Sequence, residues 1–324
     1  MEKILVSEIG ENQKIDSFFL VKSKSQAMGK TGKPYLYLKL SDKTGEIKGY
    51  IWDNVDKSAQ LFETGDIIRI KSKSSLFQNE LQLSISEIEK IGFETLGAED
   101  AALFFKSSRN GIESMFNELK SVLKENLTDE FIIKLVDKFF EDENYIKLFK
   151  TLPAAKSIHH AYVGGLLEHT LSMLKIGVFL SEHYKRYVIK DVLLASIFLH
   201  DAGKMEELRI KNNVTEYSDE GRLLGHIVLG ASAVSEKISE IRGFPENLKL
   251  ILLHCIISHH GEMEYGSPKR PKTAEAFLLH YIDNMDSKEN QIADFIENNG
   301  NVLWSQYSKS LDRYLLNARL FTAG

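Results

Sequence analysis

The sequence has very little cysteine and no long hydrophobic run. Cys255 is the single cysteine among 324 residues, which excludes an intramolecular disulfide and a cysteine-ligated metal cluster. No apolar stretch approaches the roughly 20 residues that a membrane-spanning helix needs, and the first ten residues lack the apolar segment of a signal peptide. We therefore expect a cytoplasmic protein that does not bind a membrane, since unpaired cysteine suits a reducing compartment.

Internal repeats and low-complexity tracts are also lacking, and the composition is that of folded domains. The chain is 43% hydrophobic and 27% charged, as in ordinary globular proteins, and its length allows two or three domains. The net charge of −5 is uneven, because residues 1–95 hold 14 basic and 14 acidic side chains. Within them, residues 22–48 carry seven lysines against Asp42 and Glu46, which indicates either a polyanion partner or a solvated surface.

The first domain, residues 1–92, has the alternating pattern of β-strands. In PYLYLKL the residues Leu36, Leu38 and Leu40 share one face, and EIKGYIW alternates in the same way. Five or so strands, with one short helix between the third and fourth, are the plan of an OB-fold barrel. We therefore expect an all-β domain here, followed by a linker at residues 93–108.

Aromatic and basic side chains lie on the opposite face of the predicted second strand and before it. OB-folds bind single strands by stacking bases on aromatic rings beside basic groups, although outward aromatics also pack on neighbouring domains. We predict that this surface binds single-stranded nucleic acid. The residues expected to contact it are Tyr35, Tyr37, Lys39 and Lys33.

Beyond residue 108 nearly everything is predicted to be helical, and all ten histidines of the chain lie there. Apolar residues at spacings of three and four predict amphipathic helices through residues 109–324, with a core at about residues 150–290. The last helical stretch, near residues 303–320, is expected to pack against this domain. The predicted fold class is multidomain, with an all-β OB-fold barrel followed by an all-α domain.

Five of the predicted helices each bring a metal-binding side chain to an inner face. His169 shares a helical stripe with Leu166 and Met173, and His226 shares one with Leu223 and Leu229. The other three helices carry His200 with Asp201, His259 with His260, and Asp283.

A single buried histidine is usually satisfied by a local hydrogen bond, but five such positions each carry a desolvation cost. One divalent metal centre among them offsets all of these costs together. Mixed imidazole and carboxylate ligands suit Mn²⁺, Fe²⁺, Co²⁺ or Zn²⁺ better than Ca²⁺. The sequence therefore predicts a divalent metal cofactor in the helical domain.

The order of these residues resembles the HD superfamily of metal-dependent phosphohydrolases. The pattern H…HD…D is formed here by His169, His200, Asp201 and Asp283, with HDAGK around the central pair. The intervals are 31 residues from His169 to His200 and 82 from Asp201 to Asp283. Three further histidines resemble the subgroup that holds two metals, namely His226, His259 and His260.

The similarity extends to the YhaM family of 3′→5′ exoribonucleases. The segments GGLLEHT, LHDAGK, GRLLGHI and SHHG, behind an N-terminal OB-fold, are similar to that family over nearly the whole chain. The resemblance implies metal-dependent removal of nucleoside monophosphates from the 3′ end of single-stranded RNA. Single-stranded DNA is a second candidate substrate. We expect two divalent ions, Mn²⁺ foremost, with Co²⁺, Fe²⁺, Zn²⁺ or Mg²⁺ as alternatives.

The resemblance also implies roles for individual residues. One ion is expected on His169, His200, Asp201 and Asp283, and the other on His226 and His259 with Asp201 shared and His260 as a further candidate. Asp201 and Lys204 are the expected catalytic residues, because the Lys204 ammonium could neutralise phosphate charge. Otherwise Lys204 is a helix-end lysine facing water.

Two more residues are expected to contact substrate. Arg222 lies four residues, or one helical turn, before His226. The alternative interpretation is that Arg222 forms a surface salt bridge. His160 belongs to the stretch HHAYVGGLLEHT, which resembles the family, and an ordinary loop histidine is its other reading.

Two other functions remain open at this point. An HD phosphohydrolase could act on free nucleotides, with the OB-fold as a regulatory surface. A nucleic-acid-binding or replication-associated factor could carry a residual HD site, but the complete ligand set disfavours this. HD-type cyclic-dinucleotide phosphodiesterases carry GYP after the paired histidines, whereas GEMEYGSPKRPK follows His260 here. A homo-oligomer is compatible with the sequence.

Overall fold

The computed structural model of the chain describes residues 3–29, 32–78, 80–91, 103–104, 111–154, 162–211, 214–298 and 302–323. The chain divides into two compact units, one of residues 1–107 with residues 210–215 and the other of residues 108–209 and 216–324. Each unit has its own buried hydrophobic core. None of the helices in the described ranges combines the length and the apolar character that crossing a membrane requires.

The first unit is a closed barrel of five strands. These are β1 (Lys14–Met28), β2 (Pro34–Asp42), β3 (Gly45–Ile51), β4 (Ile67–Phe77) and β5 (Glu80–Ile91). Their order is β1-β2-β3-β5-β4, and the pairing of β1 with β4 closes the barrel. The β3–β5 pair is parallel, and the short helix α1 (Val55–Ala59) lies between β3 and β4. The predicted OB-fold is confirmed, with its helix at the expected place.

The barrel interior follows from the alternation in the sequence. Leu36, Leu38 and Leu40 are 1%, 0% and 0% exposed, and burial of such a side chain contributes about 2 kcal/mol. Gly49 points inward as well, where an added Cβ would lie 2.7 Å from Ile85 Cδ1. Because a shift of one residue would reverse both faces of a strand, this interior fixes which side chains point outward.

Two residues of the predicted linker lie in the described part of the chain, and both pack on the barrel. Phe104 is buried with Leu20 and Ile67. The Leu103 carbonyl accepts a hydrogen bond from the Lys43 backbone N–H at 3.0 Å. The domain limits at residues 92 and 109 stay predictions.

The second unit is built from helices around a buried core. The helices are α2 (Ile112–Asn126), α3 (Glu130–Phe140), α4 (Glu143–Thr151), α5 (Gly165–His183), α6 (Lys190–Leu199), α7 (Lys204–Glu207), α8 (Asp219–Ser239), α9 (Glu246–Ser258), α10 (Ala274–Asn298) and α11 (Ala318–Ala323). Helix α6 is buried from Asp191 to Leu199, as its apolar sequence predicts. The turn after α6 therefore places the HDAGK segment next to the core.

Two elements differ from the sequence-based expectation. A two-stranded sheet, β6 (Leu208–Lys211) and β7 (Val214–Tyr217), interrupts the helical sequence, so the prediction of purely helical structure was incomplete. These strands are too short for their period to stand out.

The predicted helix near residues 303–320 was also wrong. Trp304 pairs with Leu316 and Ser308 with Arg313 in antiparallel bridges. Asp312 between them has a φ of 55°, a left-handed conformation that turns the chain back and that no α-helix contains. Only α11 is helical in this region.

Gly203 offers a test of how closely the turn after α6 packs on α8. An added Cβ would lie 2.0 Å from the His226 carbonyl oxygen and 2.4 Å from the Gly230 nitrogen, and neither backbone atom can move without shifting α8. Gly203→Ala should therefore lower the free energy of unfolding by at least about 2 kcal/mol, as measured by urea denaturation. At the control position Gly111, a Cβ would meet only Ser114 Cβ at 3.9 Å, and alanine should cost about 1 kcal/mol or less. Equal losses would contradict the packing argument.

Candidate metal centre and nucleic-acid interface

The predicted metal ligands come from five helices of the second unit. His169 lies in α5, His226 in α8 and Asp283 in α10, while His200–Asp201 and His259–His260 directly follow α6 and α9. The ligand atoms of His169, His200 and Asp201 lie within 4.8 Å of one another, and so do those of His226, His259 and His260. The structure therefore brings the predicted ligands into two adjacent clusters.

Two carboxylates lie beside these histidines. Asp201 Oδ2 lies 3.2 Å from His200 Nε2, and Asp201 Oδ1 lies 3.7 Å from His226 Nε2. Asp283 Oδ1 lies 3.3 Å from His169 Nε2. We call His169, His200, Asp201 and Asp283 the first donor group, and His226, His259 and His260 the second donor group. Asp201 faces both.

Each of the five histidines uses its Nδ1 atom for a partner outside the two donor groups. Three of them contact backbone carbonyls, namely His200 with Ile197 at 2.8 Å, His259 with Ile256 at 2.7 Å and His260 with Tyr265 at 2.8 Å. A carbonyl only accepts, so these Nδ1 atoms must carry the hydrogen. In the neutral ring, Nε2 is then a bare lone pair that points into the site.

The other two histidines are held by carboxylates. His169 Nδ1 lies 2.7 Å from Asp286 Oδ2, and His226 Nδ1 lies 3.1 Å from Glu207 Oε1. Asp286 also accepts a hydrogen bond from the Ser172 hydroxyl. Carboxylate–histidine pairs of this kind orient the ring and increase its basicity as a metal ligand.

The donor set fits a divalent cation. The Nε2 atoms of His200 and His226 are buried and have no hydrogen-bond partner within the described ranges. Both face the carboxylate of Asp201, so lone pairs oppose one another in a site removed from water. Such an arrangement is costly without a positive charge between the atoms. A divalent ion would accept these lone pairs. The two buried Nε2 atoms without a hydrogen-bond partner among the described residues are therefore the observation that supports metal dependence.

The carboxylates beside His169 favour positive charge in the first donor group. Burial disfavours the imidazolium, but hydrogen bonds to Asp283 and Asp286 outweigh burial and raise the pKa of His169 to about 9. In the second donor group, burial and the neighbouring His260 hold the pKa of His259 well below its usual value. The His259 ring is therefore neutral, which is the form in which histidine binds a metal.

Lys204 lies at the edge of the first donor group. Its ammonium donates to Asp201 Oδ2 at 2.6 Å and also to the Ala154 carbonyl, and its side chain is only 11% exposed. A helix-end lysine facing water is therefore excluded. Burial opposes the Asp201 charge, but His200 and Lys204 hold the pKa of Asp201 well below its usual range.

Of the two predicted substrate contacts in the second unit, only Arg222 lies in the described part of the chain. Arg222 is exposed on α8, but the expectation that it lies one turn before His226 was wrong. Gly225 between them has a φ of 73° and a ψ of 159°, which breaks the helical period. For the same reason Leu223 is 83% exposed and not on the inner stripe. His160 lies outside the described residues.

Glu207 was missed by the sequence analysis, and Asp286 was not predicted to be a site residue. Glu207 ends the four-residue helix α7, which is too short for a periodic signal. Asp286 lies one turn after Asp283 on α10, and this spacing of three was the available signal that both face His169.

On the barrel, four aromatic rings lie along the outward face of β2 and β3. Ring centroids are 5.1 Å apart for Tyr35–Trp52, 5.5 Å for Tyr37–Tyr50 and 5.7 Å for Tyr50–Trp52. Trp52 is 51% exposed. We call these residues the β2–β3 aromatic face. Two of them, Tyr50 and Trp52, were not predicted as contacts, although the alternation in EIKGYIW points them outward.

Basic residues near this face are partly neutralised. Lys39 forms an ion pair with Glu46, and Lys48 forms one with Glu80. Lys33 is exposed in the connection between β1 and β2. The aromatic rings, rather than unpaired lysines, are therefore the distinguishing feature of this surface.

Comparisons with known protein families match the two units separately. A family model described as an OB-fold nucleic acid binding domain matches residues 20–91, and an HD domain model matches residues 166–288. A model described as a putative helicase matches residues 114–184. Fold and site thus define a protein that combines an OB-fold with an HD domain.

Named relatives are similar over nearly the whole chain. The 3′-5′ exoribonuclease YhaM of Bacillus subtilis (strain 168) is 32% identical over 300 residues, covering 91% of this chain and 90% of the relative. That of Halalkalibacterium halodurans is 32% identical over 317 residues, with 95% and 93% covered. That of Listeria monocytogenes serotype 4b (strain F2365) is 33% identical over 295 residues, with 90% of each chain covered. The chain belongs to the YhaM 3′-5′ exoribonuclease family.

Metal removal should destabilise the second unit, because the donor groups then lose the charge that compensates them. We expect chelation to lower the melting temperature and excess Mn²⁺ to restore it. An ion at 100 times its Kd stabilises by about 2.7 kcal/mol, or several degrees for a unit of this size. Calorimetry should show a smaller shift for His259→Ala and an unchanged shift for His183→Ala, which alters an exposed histidine at the end of α5. Identical melting of the wild type with and without metal would contradict the fit.

Proposed function

We propose that this chain is a metal-dependent 3′-5′ exonuclease that hydrolyses the phosphodiester bonds of single-stranded RNA and releases nucleoside monophosphates. The observation that carries the proposal is the convergence of two donor groups on Asp201 in a chain of the YhaM family. The relatives are named for exoribonuclease activity, and a phosphodiester is a substrate to which such a centre is suited.

The first donor group would hold one divalent ion, and the second donor group together with Asp201 would hold another. The mixture of imidazole and carboxylate ligands favours Mn²⁺, with Co²⁺, Fe²⁺, Zn²⁺ or Mg²⁺ as alternatives. When bound, such ions neutralise phosphoryl charge and lower the pKa of water. The contacts at Nδ1 hold each ring with its Nε2 atom directed into the site, so that the chain loses little freedom when an ion binds.

Two cationic side chains complete the proposed chemistry. The Lys204 ammonium is held at 2.6 Å from Asp201 Oδ2, so it contributes a buried positive charge beside the reacting phosphate. Arg222 is exposed on α8 before the break at Gly225. In this proposal Arg222 binds a backbone phosphate of the substrate, because a guanidinium binds phosphate oxygens in a bidentate manner.

The β2–β3 aromatic face is the proposed nucleic-acid interface. OB-folds bind oligonucleotides on this strand pair and on the loop between their first two strands, where Lys33 lies. Bases would stack on Tyr35, Tyr37, Tyr50 and Trp52, and stacking tolerates every base. Because stacking does not contact the 2′-hydroxyl, we expect this face to bind single-stranded DNA in addition to RNA. A cytoplasmic location and self-association stay predictions from the sequence.

The exonuclease activity is tested with metal-free protein, 5′-labelled single-stranded RNA and added Mn²⁺. The wild type should produce a ladder that shortens from the 3′ end. Asp201→Asn keeps the side-chain size but removes the charge shared by both donor groups, and it should slow the reaction at least about 100-fold. Asp137→Asn, an exposed carboxylate on α3, is the matched control and should leave the rate unchanged.

Other substrates decide between the remaining functions. Intact RNA together with hydrolysed free nucleotides would overturn the exonuclease and favour a nucleotide phosphohydrolase. Tight strand binding without hydrolysis of either substrate would favour a binding factor.

The nucleic-acid interface is tested by binding of fluorescent single-stranded RNA. Trp52→Ala removes the most exposed ring of the β2–β3 aromatic face, and loss of one stacked base costs about 1–3 kcal/mol. We therefore expect a Kd roughly 5 to 150 times higher. Phe77→Ala removes another exposed ring, 59% exposed at the end of β4, and should leave the Kd unchanged. Equal effects of both variants would place the interface elsewhere.

A further inference from the structure

Glu207 makes two contacts with one metal-binding residue through a single carboxylate oxygen. Its Oε1 accepts a hydrogen bond from the His226 backbone N–H at 3.0 Å and lies 3.1 Å from His226 Nδ1. Glu207 is itself buried. The same oxygen therefore fixes both the backbone and the ring of His226.

The backbone contact has a structural cause in α8. Gly225, with a φ of 73°, divides α8 into two parts, so that His226 begins the second part. The first N–H groups of a helix have no carbonyl four residues earlier to accept their hydrogen bonds. A carboxylate at this position satisfies such a group and is favoured by the helix dipole. Glu207 therefore acts as the cap of the restarted helix as well as the partner of the imidazole.

The surrounding backbone leaves Glu207 little room to move. The Glu207 carbonyl accepts a hydrogen bond from the Ser218 N–H at 2.9 Å, at the start of α8. A Cβ on Gly221 would lie 2.4 Å from that carbonyl oxygen, so only glycine permits this approach. Both ends of the chain segment that joins Glu207 to α8 are thus held close together.

The first donor group has a different and separate anchor. Asp286 on α10 holds His169 at 2.7 Å, whereas the other two histidines of the second donor group are held by the carbonyls of Ile256 and Tyr265. Each donor group thus contains one histidine held by a carboxylate, and the two carboxylates belong to different helices.

We propose that Glu207 is the positioning residue of the second metal position, and that its hydrogen bonds to His226 set the occupancy of that position independently of the first. The inference rests on the two-ion site put forward under the proposed function. It predicts that loss of the Glu207 charge empties one position and leaves the other filled.

The test is a titration of metal-free protein with Mn²⁺, followed by calorimetry and by electron paramagnetic resonance. The wild type should bind two ions per chain and show the spin-coupled signal of neighbouring Mn²⁺ ions. Glu207→Gln should raise the Kd of the second ion by about 10 to 100 times. The first ion should keep its affinity, and the signal should become that of an isolated ion. Glu206→Gln, the exposed neighbour on α7, should behave as the wild type.

A second variant reaches His226 without altering Glu207. A Cβ on Gly225 has nothing within 4 Å, so Gly225→Ala strains only the left-handed backbone and should weaken the second ion in the same direction. If Glu207→Gln does not give the circular dichroism spectrum of the folded protein, Gly225→Ala tests whether the position of His226 controls the affinity of the second ion. Asp286→Asn should weaken the first ion instead.

The outcomes separate this inference from the proposed function. Two ions in the wild type, with unchanged affinities or equal losses at both positions in Glu207→Gln, would overturn only the role of Glu207. One ion in the wild type would overturn both that role and the two-ion site.

Discussion

The buried carboxylate of Asp201 is the constraint on which the second unit depends. It faces the Nε2 atoms of His200 and His226 and accepts a hydrogen bond from Lys204. An apolar interior does not hold such a charge unless it is compensated. The ammonium group of Lys204 compensates part of the Asp201 charge, and a divalent metal would compensate the rest. The close turn after α6, which Gly203 permits, is what holds Asp201 against α8.

The geometry of the imidazoles follows from a second, simpler rule. Each ring has two nitrogens, and a partner that accepts hydrogen at Nδ1 leaves Nε2 as the ligand atom. Carbonyls at the ends of α6 and α9 perform this task for His200 and His259 at no cost to the helix, because the last carbonyls of a helix have no other partner. For His169 and His226, a buried carboxylate takes the place of such a carbonyl.

The two units use different physics for what we propose is one reaction. The metal centre relies on desolvated charge, where a displacement of a ligand atom changes affinity strongly. The β2–β3 aromatic face relies on exposed rings that stack without reading sequence, and its lysines are largely paired with glutamates. This combination suits an enzyme that binds many sequences loosely and cleaves them at one well-ordered site.

Much of this organisation could be predicted from the sequence. Alternation in PYLYLKL determined the inward leucines of the barrel, because a strand has only two faces. The spacing of histidines and aspartates on apolar helices determined the ligand types of the metal centre, since a buried polar group on such a face needs a partner. Glu207, the break at Gly225, and the exposed positions of Leu223 and Arg222 could not be predicted this way. They depend on a left-handed glycine and on contacts between residues 19 positions apart, which no local period encodes. The sequence by itself determined which chemical groups are available, whereas the tertiary structure decided which nitrogen of each ring faces the other donor atoms, because that choice is made by whatever backbone or carboxylate packs against the other nitrogen.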